Sequence, residues 1–138
     1  MLEISILKIK TEIGKNCMLT FQLNHEDRKY SNEDQSFFNK NITWNKTKSR
    51  FKILIVMNYH SIKRRFYKNR IQILILADES NCSYTLGHAN FDLAKIPNNK
   101  LLESNETLRI QRCEDKFSQL KVKFKFKFRK IKASNESL

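Results

Sequence analysis

Two glycines and one proline are spread over 138 residues, and that shortage alone removes several kinds of site. Gly14 and Gly87 stand far apart, so no glycine-rich loop is present to cradle a phosphate with backbone amides. The three cysteines, Cys17, Cys82 and Cys113, are odd in number and lack CxxC spacing. They argue against a disulfide framework and read as buried thiols in a reducing, intracellular, cytoplasmic setting. His25, His60 and His88 fall in no metal-ligand spacing, and although Cys82 and Cys113 could approach His88 in space, buried cysteines are commoner than nucleophiles, so neither a metal site nor an enzyme is expected. The longest apolar runs, ILIVM and ILILA, are far below the roughly 18 residues of a membrane-spanning helix. The start, MLEISILKIK, alternates and contains Glu3, unlike a signal peptide. Acid is the last shortage: 14 Asp+Glu stand against 27 Lys+Arg, a formal charge of +13. That excess favours acidic partners such as nucleic acid, an anionic membrane or an acidic protein.

What is present is a series of short runs rich in Ile, Phe, Val and Thr, cut by polar turn clusters. The pattern predicts an all-β chain, an eight-stranded antiparallel β-sandwich, with strands near 2–11, 17–24, 37–44, 50–57, 70–77, 85–93, 106–113 and 118–129. Residues 1–131 read as one domain and 132–138 as a frayed tail. The connections at 24–35 and 59–70 are long for hairpins, and the second reads as holding a short helical turn.

Two strands are apolar on both sides. FKILIVM sets Leu54 and Val56 opposite Phe51, Ile53 and Ile55, and IQILILA sets Leu74 and Leu76 opposite Ile71, Ile73 and Ile75. A two-sheet sandwich buries one face per strand, so Leu54, Val56, Leu74 and Leu76 are expected to be covered by the 59–70 connection or by a protein partner.

Near the C-terminus, LKVKFKFKFRKIK alternates strictly over residues 120–132. One face is Leu120, Val122, Phe124, Phe126 and Phe128; the other is Lys121, Lys123, Lys125, Lys127 and Arg129, followed by Lys130. Burying the apolar face is worth about 8–15 kcal/mol as an upper estimate. Same-face lysines about 7 Å apart repel by roughly 0.6 kcal/mol per pair in water, so the core dominates. The lysine face has two readings: a docking surface, or a guard against edge-to-edge aggregation. Base recognition does not fit, because single-strand binders stack bases on aromatics that share the charged face. Lys46, Lys48, Arg50 and Lys52 form a second basic group; Lys63, Arg64, Arg65, Lys68 and Arg70 form a third. None of the groups contains an acidic residue, unlike a salt-bridged surface.

The order of three further stretches resembles a C2 domain over nearly the whole chain. ITWNKTKSRFKILI (42–55) is similar to that family's Trp-Asn element and following strand. RIQILILADES (70–80) resembles the strand entering the third top loop, and TLGHANFDLAKI (85–96) the leucine-glycine strand after it. The form LG-x-A-x-x-x-LA is most similar to calcium-independent C2 domains at the N-termini of tethering and adaptor proteins. Calcium-binding members cluster about five aspartates on two top loops, since Ca²⁺ takes six to eight oxygens. Here the first loop has Glu12 and no aspartate, and in the third Asp78 falls where a first ligand would sit, but Ser80 and Tyr84 stand where further carboxylates belong.

The resemblance implies a non-catalytic module without a cofactor, docking on an anionic membrane or acidic protein. The residues expected to carry it are Lys63, Arg64, Arg65, Lys68, Arg70, Lys121, Lys123, Lys125, Lys127, Arg129 and Lys130. In several members a lysine cluster on the concave sheet engages phosphoinositides; here Leu54 and Val56 follow Lys52, which leaves diffuse attraction to acidic lipid. The alternative is a structural subunit of a larger assembly, held through Leu54, Val56, Leu74 and Leu76. Nonspecific nucleic-acid binding stands third.

Overall fold

The computed structural model of the chain describes residues 1–13, 16–31, 37–39, 43–79, 82–96, 103–111 and 117–127. Its strands are β1 (Leu2–Lys10), β2 (Met18–His25), β3 (Arg28–Ser31), β4 (Phe37–Phe38), β5 (Asn45–Ile53), β6 (Tyr59–His60), β7 (Arg65–Phe66), β8 (Arg70–Glu79), β9 (Cys82–Asp92), β10 (Glu103–Arg109) and β11 (Gln119–Phe126). One antiparallel sheet has the order β10-β11-β1-β5; the other has β3-β2-β8-β9, with β4 also paired to β2. The small pair β6-β7 stands apart from both.

Period-two burial builds each layer. Leu2, Ile4 and Ile6 of β1 point inward, and a register shift between Ile6 and Lys8 resets the phase so that Ile9 is buried in turn. Without that bulge Lys8 would take the inward position. From the facing sheet come Leu19, Phe21 and Leu23 of β2 and Ile71, Ile73, Ile75 and Ala77 of β8. Opposite Ile75 and Leu76, β9 carries one extra residue at Leu86–Gly87, where a residue without a side chain fits a local kink. Phe124 of β11 is fully buried and stacks on Phe91 of β9 with ring centroids 5.0 Å apart, joining the layers through an offset aromatic pair. Phe126 is buried as expected, and Cys17 is a buried thiol. Phe128 and Cys113 lie outside the described residues, as does the side chain of Cys82.

The ends of the sandwich are built differently. We call the end where β1 and β8 begin the base and the other the crown. At the crown Asn39, fully buried, accepts the Asn16 N–H on its carbonyl at 2.6 Å and donates its own N–H to Cys17 O at 2.9 Å. Its Oδ1 accepts from Asn45 Nδ2 at 2.8 Å, and Ser118 Oγ donates to Thr11 Oγ1 at 2.7 Å. At the base, residues 54–58 cross from one sheet to the other, with Ile55, Met57 and later Phe66 packed on the core.

Several boundaries differ from expectation. The strand expected at 50–57 ends at Ile53, because the chain must turn there to cross the base. Of the one expected at 37–44, the described residues show Phe37–Phe38 as strand, and Arg28–Ser31 takes the adjoining stretch of the β2 edge. The 59–70 connection holds a β-hairpin rather than a helical turn.

Candidate docking surfaces

Rows of side chains cross the outer face of the β10-β11-β1-β5 sheet. Glu103, Lys125, Glu3 and Lys52 share one row, and Asn105, Lys123, Ser5 and Arg50 the next; beyond the bulge lie Thr107, Lys121, Lys8 and Lys46. Register therefore places two carboxylates among the lysines. Lys123 Nζ donates to Glu103 Oε1 at 2.8 Å, and Arg50 Nε lies 3.3 Å from Glu3 Oε1. This corrects the expectation of basic groups unlike a salt-bridged surface. The hydrogen bond from Lys123 holds the Glu103 carboxyl below its ordinary pKa, with the charges of Lys123 and Lys125 acting in the same direction against some desolvation. Lys121 is occupied too: its Nζ sits 4.4 Å from the centroid of the Trp44 ring, a cation–π contact made by the Trp-Asn element. Lys46, Lys48, Lys52 and Lys125 are exposed, and among the described residues no carboxylate pairs with them.

The other basic group lies at the base. Tyr59–His60 and Arg65–Phe66 pair into a hairpin whose turn carries exposed Ile62, Lys63 and Arg64, with Arg65 exposed beside it. His60 Nδ1 accepts the Lys63 N–H at 3.2 Å, and Arg64 takes the left-handed conformation at φ 52° to close the turn. Tyr59 packs edge-on against Phe66 at 5.1 Å, and His60 lies 5.3 Å from Tyr67. Lys68 and Arg70 follow and line an open groove of about 930 Å³ along the β2, β3, β8 and β9 sheet, together with Arg28, Lys29 and Lys95. Sequence reasoning missed those last three, since Arg28 and Lys29 on β3 are distant in sequence from Lys95 after β9, and the β2-β3, β2-β8 and β8-β9 pairings bring them together. The groove is of mixed charge, because Glu26, Asp27 and Asp92 line it as well.

The two basic groups meet at one end. Phe126, Leu2 and Ile53 form the last row of their sheet, and the Lys127 N–H donates to Met1 O at 2.9 Å just past it. Lys127 and Leu54 thus flank the base, where Arg70 starts β8. Arg129 and Lys130 lie outside the described residues.

Of the apolar outer positions, Leu54 and Val56 are exposed at the base, so the 59–70 connection does not cover them. Alternation continues past the strand, turning Ile55 and Met57 inward and these two outward. Leu74 and Leu76 sit on the outer face of the second sheet, half-exposed, between Gln22 and Thr20 of β2 and His88 and Thr85 of β9. The hairpin does not lie over them; it shares a depression with Asp92, Ala94 and Lys95 at the base.

For metal or catalytic chemistry the described residues offer little. Asp78 accepts a hydrogen bond from the Ser83 hydroxyl. His25 is buried in β2 rather than solvated in a loop, and its Nε2 lies 2.6 Å from Asn69 Oδ1. No three His, Cys, Asp or Glu among the described residues gather to hold an ion, and no helix among them is long and apolar enough to cross a membrane.

No protein-family model matches the sequence, and no curated protein matches it. Solved structures match in fold. A structure of Extended-Synaptotagmin 2 comprising its C2 domains A and B aligns with a TM-score of 0.62 at 10% identity, over 90% of this chain and 39% of that one. The C2 domain A of plant Extended Synaptotagmin 1 aligns with a TM-score of 0.61 at 10% identity, over 92% of this chain and 95% of that one. Human GIVD cytosolic phospholipase A2 aligns with a TM-score of 0.61 at 13% identity over 89% of this chain, which spans only 16% of the enzyme's. The fold is that of a C2 domain: a β-sandwich of two antiparallel sheets in which β1 pairs with both β5 and β11.

Proposed function

We propose that the chain is a non-catalytic C2-type adaptor or tethering module that attaches, without calcium, to an anionic membrane surface through its basic side chains. The observation that carries this reading is the placement of two basic groups at one end, with Lys125 near the end of β11 and Lys127 just past it, and Lys68 just before β8 and Arg70 at its start. Its C2 fold supports a membrane- or protein-binding module. Phe124 and Phe126 are buried beneath the lysines of β11, so that face offers phosphate contacts without its phenylalanines as a stacking platform. Each basic residue near an acidic bilayer contributes about 1 kcal/mol. Reversing Lys125 and Lys127 to Glu is therefore expected to lower binding to phosphatidylserine vesicles at least tenfold, measured by co-sedimentation with a chelator present. Unchanged binding would remove these lysines from the surface.

A second reading has its own observation. Leu54 and Val56 are exposed and Leu74 and Leu76 half-exposed, as expected of a structural subunit whose partners cover them. Such a protein would stay with its partners through high salt.

A further inference from the structure

The base carries apolar side chains that attraction by charge alone does not use. Ile62 is 87% exposed at the hairpin tip, with Leu54 at 74% and Val56 at 63% behind it, and Tyr59 and Tyr67 largely exposed on the hairpin. Single exposed aliphatics are ordinary, but several on one end within a short segment are not. The framework under them is well tied. Ile55, Met57 and Phe66 pack on the core, the Tyr67 N–H donates to Asn58 O at 2.7 Å, and Asn69 Nδ2 donates to Val56 O at 3.2 Å. Val56 and Tyr67 line one open depression with Lys68, Arg70 and a single carboxylate, Glu26. Interleaved with the apolar positions are Lys63, Arg64, Arg65 and Lys68, and residues 54–70 contain no carboxylate.

We propose that this end inserts into an anionic bilayer. Ile62 enters the acyl boundary, Tyr59 and Tyr67 settle at headgroup depth, and Lys63, Arg64, Arg65 and Lys68 contact lipid phosphates. The inference rests on the membrane reading above and adds an orientation: the sandwich stands on its base, which keeps Lys125 and Lys127 at the bilayer end of β11 and points the crown end of β11 and β1 away from it. Lipid is the occupant because the most exposed apolar side chain, Ile62, protrudes at the tip of a two-stranded hairpin and is followed directly by Lys63, Arg64 and Arg65. An aliphatic tip, tyrosine flanks and a collar in which Lys63, Arg64, Arg65, Lys68 and Arg70 outnumber the neighbouring Glu26 and Asp92 match the layers of an acidic membrane surface.

Trp44 is the single tryptophan and lies near the start of β5, toward the crown. It serves as an orientation reference against Ile62→Trp placed in a Trp44→Phe background. With phosphatidylserine vesicles containing acyl-brominated lipid, the indole introduced by Ile62→Trp is expected to shift its emission to the blue and be quenched, while Trp44 of the wild-type chain is not. Ile62→Asp, at a site too exposed to affect folding, is expected to weaken vesicle binding at physiological salt about tenfold or more. Quenching of Trp44 without quenching of the indole at position 62 would show a sandwich lying flat, overturning the inference and leaving the membrane reading intact. Co-sedimentation at low salt with neither indole quenched, or full binding by Ile62→Asp, would also overturn it alone. No co-sedimentation at any salt would remove both.

Discussion

His25 and Asn69 meet at the base with ring Nε2 and amide Oδ1 2.6 Å apart. The Asn69 amide nitrogen donates to Val56 O and to Met57 Sδ, so its oxygen is the acceptor and His25 Nε2 carries the proton. The Asn69 N–H donates to Asp92 Oδ1 at 3.0 Å, and its carbonyl accepts from Leu93 N at 2.9 Å. One side chain with its backbone thus joins β2, the 54–57 crossing and the end of β9.

Replacing Asn69 by Ala strands the buried ring of His25 and releases the crossing. Urea denaturation is expected to show a loss of about 1–3 kcal/mol, with protease cleavage appearing within 54–67. Asn69→Asp keeps the acceptor for His25 and should lose less. Equal stability of wild type and Asn69→Ala would contradict the clamp.

Phe124 and Lys125 are neighbours in sequence with opposite fates. Phe124→Ala is expected to cost about 3–5 kcal/mol, since it opens the core between β11 and Phe91. Lys125→Ala, exposed, should stay within about 0.5 kcal/mol of wild type. Chemical denaturation of both variants checks the assignment of faces.

The Lys123–Glu103 pair should show in the pH dependence. Because the folded Glu103 pKa is depressed by Lys123, its stabilisation is present above the unfolded carboxylate pKa and is lost as pH falls through the lowered folded value. The stability difference between wild type and Glu103→Gln should therefore favour wild type at neutral pH and vanish in acid, and added salt should shrink it. A difference that persists in acid would point to another role for Glu103.

The alternation of β11, and of β1 up to its bulge after Ile6, was legible residue by residue, because period two is a local property of the chain and Phe124, Phe126, Leu2 and Ile4 follow it. What alternation does not contain is register. Glu103 and Glu3 reach the lysines of β11 across strands, through pairings between segments distant in sequence. Windows along the chain therefore showed an unbroken basic stripe. Leu54 and Val56 were misread as sheet positions for a related reason: the apolar period runs on unchanged while the backbone leaves the sheet to cross the base. The β6-β7 hairpin was hidden because its turn holds Ser61, Ile62, Lys63 and Arg64, without the Asn-Gly or Asp-Gly signal, and Arg64 supplies the positive φ instead.

The most direct test of charge-driven, calcium-independent attachment is co-sedimentation with phosphatidylserine vesicles in chelator across a salt series. Screening lengths shrink from about 30 Å at 0.01 M to about 8 Å at 0.15 M ionic strength. Binding is expected to be strong at the low end and to fall steeply, leaving the smaller share that apolar insertion at the base supplies. Absence of binding at low salt, or binding that appears only with added calcium, would contradict it.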